Sequence, residues 1–258
     1  MAIFPHMKSL TVTEVLSYKH YTSTSAITAM FPSLQRLSVY DHEFPQDHNE
    51  WAEMEEFEHR NINDTGTSDE DRWSHLDYVK SEYALLYALG LMISIGTLVL
   101  TGKRGSSDFI LSEIFSRCRP QALKICIPFA TYTYNTFRAH LLGLPQLERL
   151  YHEPLYLWNL DNPTPDDFIA MHQGTSLVLI RVKIVDHLNI NSHALRPIFC
   201  EKQLEFAQKL ADACPSLRHY SVICDGKESS FQIISTPNGR LASPILECPE
   251  RFGDLEEV

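Results

Sequence analysis

Six side chains stand out as able to act together: Arg36, Lys124, Arg149, Tyr151, Arg181 and His219. A row of guanidinium, ammonium and imidazole groups with a phenol among them can hold carboxylates or phosphates through charge-assisted hydrogen bonds. The common templates for bond-breaking are missing. There is no Gly-x-Gly-x-x-Gly, no Gly-x-x-x-x-Gly-Lys-Ser/Thr, no Gly-x-Ser-x-Gly and no His-Glu-x-x-His. The twelve histidines are scattered. His140 and His172 read as polar helix-face residues, since neither has a partner at ligand spacing, and His42, His48 and His59 stand among acids at a spacing that fits no metal site. No catalytic residue, cofactor or metal is therefore expected. The row has two blander explanations: cations on exposed strand positions keep a sheet soluble, and an acidic segment of the same chain could fold over them.

What would align such a row is a recurring segment. Phe31-Pro32-Ser33-Leu34-Gln35-Arg36-Leu37-Ser38-Val39 has relatives at Arg119-Pro120-Gln121-Ala122, Leu144-Pro145-Gln146-Leu147 and Cys214-Pro215-Ser216-Leu217. Apolar residues follow at fixed steps: Leu34/Leu37/Val39, Ala122/Ile125/Ile127, Leu147/Leu150/His152 and Leu217/Tyr220/Val222, with His152 the weak member. Without the proline the pattern also fits Met7/Leu10/Val12, Ile95/Leu98/Leu100 and Leu177/Ile180/Val182, giving seven units. Proline ends a helix and pushes the residue before it into extended geometry, so each unit reads as helix, stop, strand. Alternation along the strand sends the fourth and sixth residues of a unit into the core and the third and fifth outward. Repeats at this spacing, with strands about 4.8 Å apart and helices about 10 Å across, predict a curved parallel sheet with helices outside. Its inner rim would carry the six residues.

The pattern Leu-x-x-Leu-x-Leu behind Pro-Ser-Leu resembles the irregular leucine-rich repeats of fungal F-box-like proteins, over most of residues 7 to 235. The asparagine of stricter repeats is absent; its places hold Asp41, Gly102 and Phe129. The resemblance implies an α/β leucine-rich-repeat solenoid of about seven irregular repeats. It also implies a non-catalytic role in protein–protein interaction, namely substrate recognition in a ubiquitin-ligase component. In that family an F-box docks onto a ligase adaptor. No such helical module stands ahead of Leu10, and Met1 to His6 supplies no cap for the first strand, so another module is expected on that side.

The bulk numbers agree with one continuous domain. The chain has 258 residues, 44% of them hydrophobic, and a formal charge of -11. That charge sits in an insert at 41–77, where thirteen acids face only Arg60 and Arg72. The composition reads as a surface loop, or as a docking segment anchored by Phe44, Trp51, Phe57 and Trp73. The balanced remainder argues against general nucleic-acid binding. Six cysteines without a Cys-x-x-Cys pair, and no signal-like start, read as reduced thiols in a cytoplasmic or nuclear protein.

The solenoid is expected over 1–235, with a hairpin at Asp225-Gly226 closing its far edge and a polar tail over 236–258. Leu76 to Ile95 reads as helical. The apolar stretch at 83–100 has a membrane span as its alternative, although Gly90, Ser94, Gly96 and Thr97 divide it into a buried helix and a strand. An enzyme with an unrecognised site is the other alternative. The expected partner is a protein, presenting an acidic or phosphorylated peptide to Arg36, Lys124, Arg149, Tyr151, Arg181 and His219.

Overall fold

In the computed structural model, the described residues are 2–13, 24–40, 55–56, 58–59, 61, 73–102, 108–126, 134–153, 165–184, 201–224 and 226–246. The insert's expected anchors Phe44, Trp51 and Phe57, and the tail beyond 246, lie outside them. The chain, expected as one continuous domain, groups into two compact units, 1–102 with 109–120, and 103–108 with 121–258.

The first unit is α/β. Its elements are β1 (Ser9–Thr13), α1 (Thr24–Met30), β2 (Arg36–Tyr40), β3 (His75–Glu82), α2 (Tyr83–Leu89), β4 (Ser94–Thr101) and α3 (Asp108–Arg117). The strands pair in parallel in chain order, Leu10 with Leu37, Leu37 with Val79, and Val79 with Leu98. β3 corrects the expectation of a helix from Leu76 to Ile95. Its core residues are Leu76, Val79 and Ser81, so a hydroxyl stands where the repeat calls for an apolar side chain. Ser81 is fully buried and donates to Glu82 O. The helix begins only at Tyr83. All seven of its residues are buried, as an all-apolar helix must be. The stretch from 83 to 100 is thus α2 and β4, and among the described residues no helix is long and apolar enough to cross a membrane. Gly96 is a packing requirement: a Cβ there would sit 2.6 Å from the Asp77 carbonyl oxygen of the neighbouring strand.

The second unit holds β5 (Arg119–Cys126, starting in the last two residues of the first unit), α4 (Tyr134–Leu142), β6 (Arg149–His152), α5 (Pro165–His172), β7 (Leu179–Ile184), α6 (Gln203–Ala213), β8 (His219–Cys224), β9 (Lys227–Thr236) and β10 (Gly239–Ile245). β5 to β8 run parallel in order, and β9 and β10 return antiparallel. The hairpin forms where expected, with Gly226 at a φ of 73° that only glycine adopts freely. Residues 239–245, expected in a polar tail, are instead the edge strand.

That edge is closed by side chains. The Gln208 amide of α6 pairs with it as a strand would, accepting from Ala242 N at 3.0 Å and donating to Arg240 O at 2.7 Å. Pro244, having no N–H, removes a further donor. Arg240 donates to the carbonyls of Ala211, Cys214 and Leu217, where α6 ends.

Three of the four proline motifs have a common local cause. Leu34 N donates to Phe31 O, Leu147 N to Leu144 O and Leu217 N to Cys214 O, at 3.0 to 3.2 Å. Each is a four-residue turn with proline second, the place where its fixed φ is favourable. The fourth motif departs. Pro120 lies inside β5, and Leu123, not Ile125, pairs with Leu150. The expected frame of Ala122/Ile125/Ile127 is therefore two residues late. Leu123, Leu150 and Ile180 stand on adjacent parallel strands, and all three are fully buried.

Candidate functional site: a paired-charge row on the second unit

Core-facing strand residues meet the helices. His152 rests between Phe137 and Phe168 at 5.8 Å from each, and Tyr220 touches Phe206 at 5.8 Å. The alternate residues lie on the opposite face, and there the register decides what the predicted row becomes.

Because the β5 frame shifts by two, Lys124 is the direct neighbour of Tyr151, and Tyr151 of Arg181, followed by Ser221 and Ser230. Lys124 Nζ lies 4.8 Å and the Arg181 guanidinium 5.3 Å from the centre of the Tyr151 ring, so one aromatic face system serves two cations. A second line runs Ala122, Arg149, Leu179, His219 and Gln232. Arg36 belongs to the first unit, where its guanidinium stacks 4.7 Å over Tyr78.

The strand template could not supply the acids. Glu153, one residue past β6, takes Lys124 at 2.6 Å and also Lys183. Glu228, on β9, takes Arg181 at 2.8 Å and accepts from Ser221, which is itself 2.8 Å from Ser230. Burial alone would raise the Glu153 carboxyl, yet the hydrogen bonds and charges of Lys124 and Lys183 hold it below its ordinary value. Burial, then Glu153, pushes the Tyr151 phenol up, and the phenol hydrogen-bonds to that carboxylate.

The face is not an open, solvent-bathed strip. Tyr151 is 4% exposed, and Arg181 and His219 are 8% exposed. Arg149 is half-buried, and its Nε has no hydrogen-bond partner among the described residues. Among the described residues, Lys124, Arg149, Arg181 and Lys183 share this face with the carboxylates of Glu153 and Glu228. Ser221 donates to the Glu228 carboxylate that also takes Arg181.

The remaining candidates fall elsewhere. His172, read as a polar helix-face residue, is fully buried, with its Nε2 3.3 Å from that of His152. Among the described residues no three His, Cys, Asp or Glu side chains are grouped to hold a metal, and His59 lies 3.6 Å from Glu58 with its side chain largely exposed. Of the acidic insert, Glu58 and Asn61 are buried. Glu58 pairs with Arg117 of α3, while Asn61 accepts from Thr24 N at 3.0 Å and donates to Ala88 O at 2.7 Å. A shallow pocket in the first unit, lined by Thr24, Thr28, Trp73, Gly90, Leu91, Met92 and Ile93, contains no titratable group. Compared with protein-family models, with curated proteins and with solved structures, the chain matches none.

Proposed function

We propose that this chain is a non-catalytic protein-recognition module, a leucine-rich-repeat-like α/β solenoid whose second unit grips an acidic or phosphorylated peptide on the face opposite its helices. The observation that carries the reading is Arg149, which among the described residues stands outside both ion pairs of that face, with its Nε buried and without a hydrogen-bond partner. Charged groups on such a face set orientation and partner choice more than raw affinity. Arg149 is the contact we assign to the partner, with Lys124, Tyr151, Arg181 and His219 as its pre-ordered surroundings and Arg36 a separate cation of the first unit. By the resemblance to F-box-like proteins, the recognised protein would be a ubiquitin-ligase substrate in the cytoplasm or nucleus.

The test is an array of acidic, phosphorylated and neutral peptides probed with the full chain and with Arg149→Glu. The reading expects salt-sensitive capture of acidic or phosphorylated peptides, reduced about tenfold or more by the substitution, while the melting temperature stays within about 2 °C, as for a surface change away from a packed ion pair. No preference for acidic peptides, or equal capture by the variant, overturns it.

A further inference from the structure

The core of the second unit holds two ionisable rings where its neighbours hold hydrocarbon. His152 ends β6, and the residues in register with it on either side are Ile125 and Val182. Its Nε2 lies 3.3 Å from Nε2 of His172 at the end of α5, and both side chains are fully buried. The hydrogen bonds fix the protons. His172 Nδ1 is 2.7 Å from the Phe168 carbonyl oxygen, which can only accept, so Nδ1 carries the proton and Nε2 is the acceptor. The contact between the rings then requires His152 Nε2–H to donate. Each ring holds one proton, and both are neutral.

The described groups around the pair are aromatic, polar or turned elsewhere. Phe137 and Phe168 enclose His152. On α4, Arg138 donates to Gln173 O, and Tyr134 and His140 are the helix's further titratable residues. On α5, Asp166 and Asp167 lie in the first turn, at the opposite end from His172. On α6, Glu205 pairs with Lys209 at the surface, Asp212 accepts from Gln208, and Cys214 beyond it donates to the His172 carbonyl at 3.2 Å. Burial pushes that thiol up to about 12, so it stays uncharged. Lys124, Arg181 and Lys183 of the flanking strands are on the other face of the sheet. A proton on His172 would act directly on His152 and disfavour a second one there.

We propose that the His152–His172 pair is an acid-triggered switch: a proton taken up there puts a charge into a fully buried contact between aromatic rings, and the second unit loosens in a mildly acidic medium. Burial, opposed only by the Phe168 bond, lowers His172 to about 4, and burial and then His172 hold His152 well below its ordinary value. In the unfolded chain both titrate near 6.5. Below about pH 6.5 the unfolded chain therefore binds protons that the folded one refuses, so stability falls with pH until the folded form takes them up too. For His172 alone this lowers the folding constant roughly 30-fold at pH 5. His152 sits between Tyr151 and Glu153, so the same event would disturb the row on the other face. That consequence for partner release rests on the proposed recognition; the switch does not.

The experiment is thermal unfolding of the full chain and of His152→Leu at pH 7.5 and 5.0, with the ring protons of His152 and His172 followed by NMR in the unsubstituted protein. The expected result is a fall in melting temperature on the order of 10 °C for the unsubstituted chain, about half that for His152→Leu, in which His172 still titrates, and ring signals that do not titrate above about pH 5. Parallel falls for the two proteins, or a ring midpoint near 6.5, would overturn the switch. If His152→Leu does not fold, the ring titration alone decides. Peptide capture at pH 7.5 reports on recognition separately.

Discussion

The two faces of β6 bury polar groups by opposite means. Toward the helices, His152 and His172 are kept neutral by giving up protons, with hydrogen bonds passing from ring to ring to carbonyl. On the other side Tyr151 stands among full charges, and Lys124, Lys183 and Arg181 are each met by a carboxylate. Burying a charge is costly unless it is paired, whereas a neutral imidazole needs only its hydrogen bonds. One face is thus sensitive to mild acid and indifferent to salt. The other keeps its charges until the carboxylates themselves titrate.

The sharpest way to break this contrast is Arg181→Glu, which sets a second acid against Glu228 and removes one of the two cations beside Tyr151. We expect a loss of about 2–3 kcal/mol, below the cost for a wholly buried pair because Glu228 is itself about a third exposed. Chemical denaturation at pH 7.5 measures it, and the helix-side pH response should be unchanged. A cost under about 0.5 kcal/mol would mean the ion pair is ornamental. Charge reversal at Arg181 therefore cannot be read as a pure binding defect, unlike the same change at Arg149.

What the sequence discloses follows from how local the cause is. The turns at Pro32, Pro145 and Pro215 are set by four consecutive residues, and the strands behind them stand where the spacing puts them. β3 escapes because Ser81 breaks the apolar pattern and the all-buried α2 follows without a gap, so two elements read as one helix. Pro120 misleads because it enters a strand instead of opening a turn, and with it Lys124 is misplaced by two residues. β10 is masked by Pro237 and Pro244, which suit an edge strand as well as a tail.

The row's cations are legible as a type and a spacing, but their acids are not. Glu153 sits just past a strand and Glu228 on a hairpin return outside the repeat. The histidine pair joins residues twenty apart, and in the sequence His152 is no more than a weak repeat position.

A second variant separates the faces by pH. Glu153→Gln removes the carboxylate that Lys124 and Lys183 share, and we expect about 1–2 kcal/mol of destabilisation at neutral pH for this partly buried cluster. The folded carboxyl is held low, so its contribution is present above the unfolded value and is lost as pH falls through the folded one. Glu153→Gln should accordingly flatten the stability loss below about pH 4.5 and leave the loss between about 6.5 and 4.5 intact. His152→Leu should do the reverse, cutting the upper-window loss to about half and leaving the lower one intact. Unfolding curves collected from pH 3 to 8 would show the crossed pattern, and a single variant that flattens both windows would mean the two faces titrate as one cluster.

The smallest effect tests the aromatic at the centre. In Tyr151→Phe the ring that Lys124 and Arg181 approach is kept and only the hydroxyl bonded to Glu153 is lost; in Tyr151→Leu the ring is lost as well. Two partly buried cation–ring contacts at about 0.5–1 kcal/mol each predict that the leucine variant is less stable than the phenylalanine one by roughly 1 kcal/mol. The difference should survive added salt, because Lys124 and Arg181 have largely desolvated side chains. Equal stabilities for the two variants would reduce Tyr151 to a spacer between ion pairs. The organisation of that face would then rest on Glu153 and Glu228 alone.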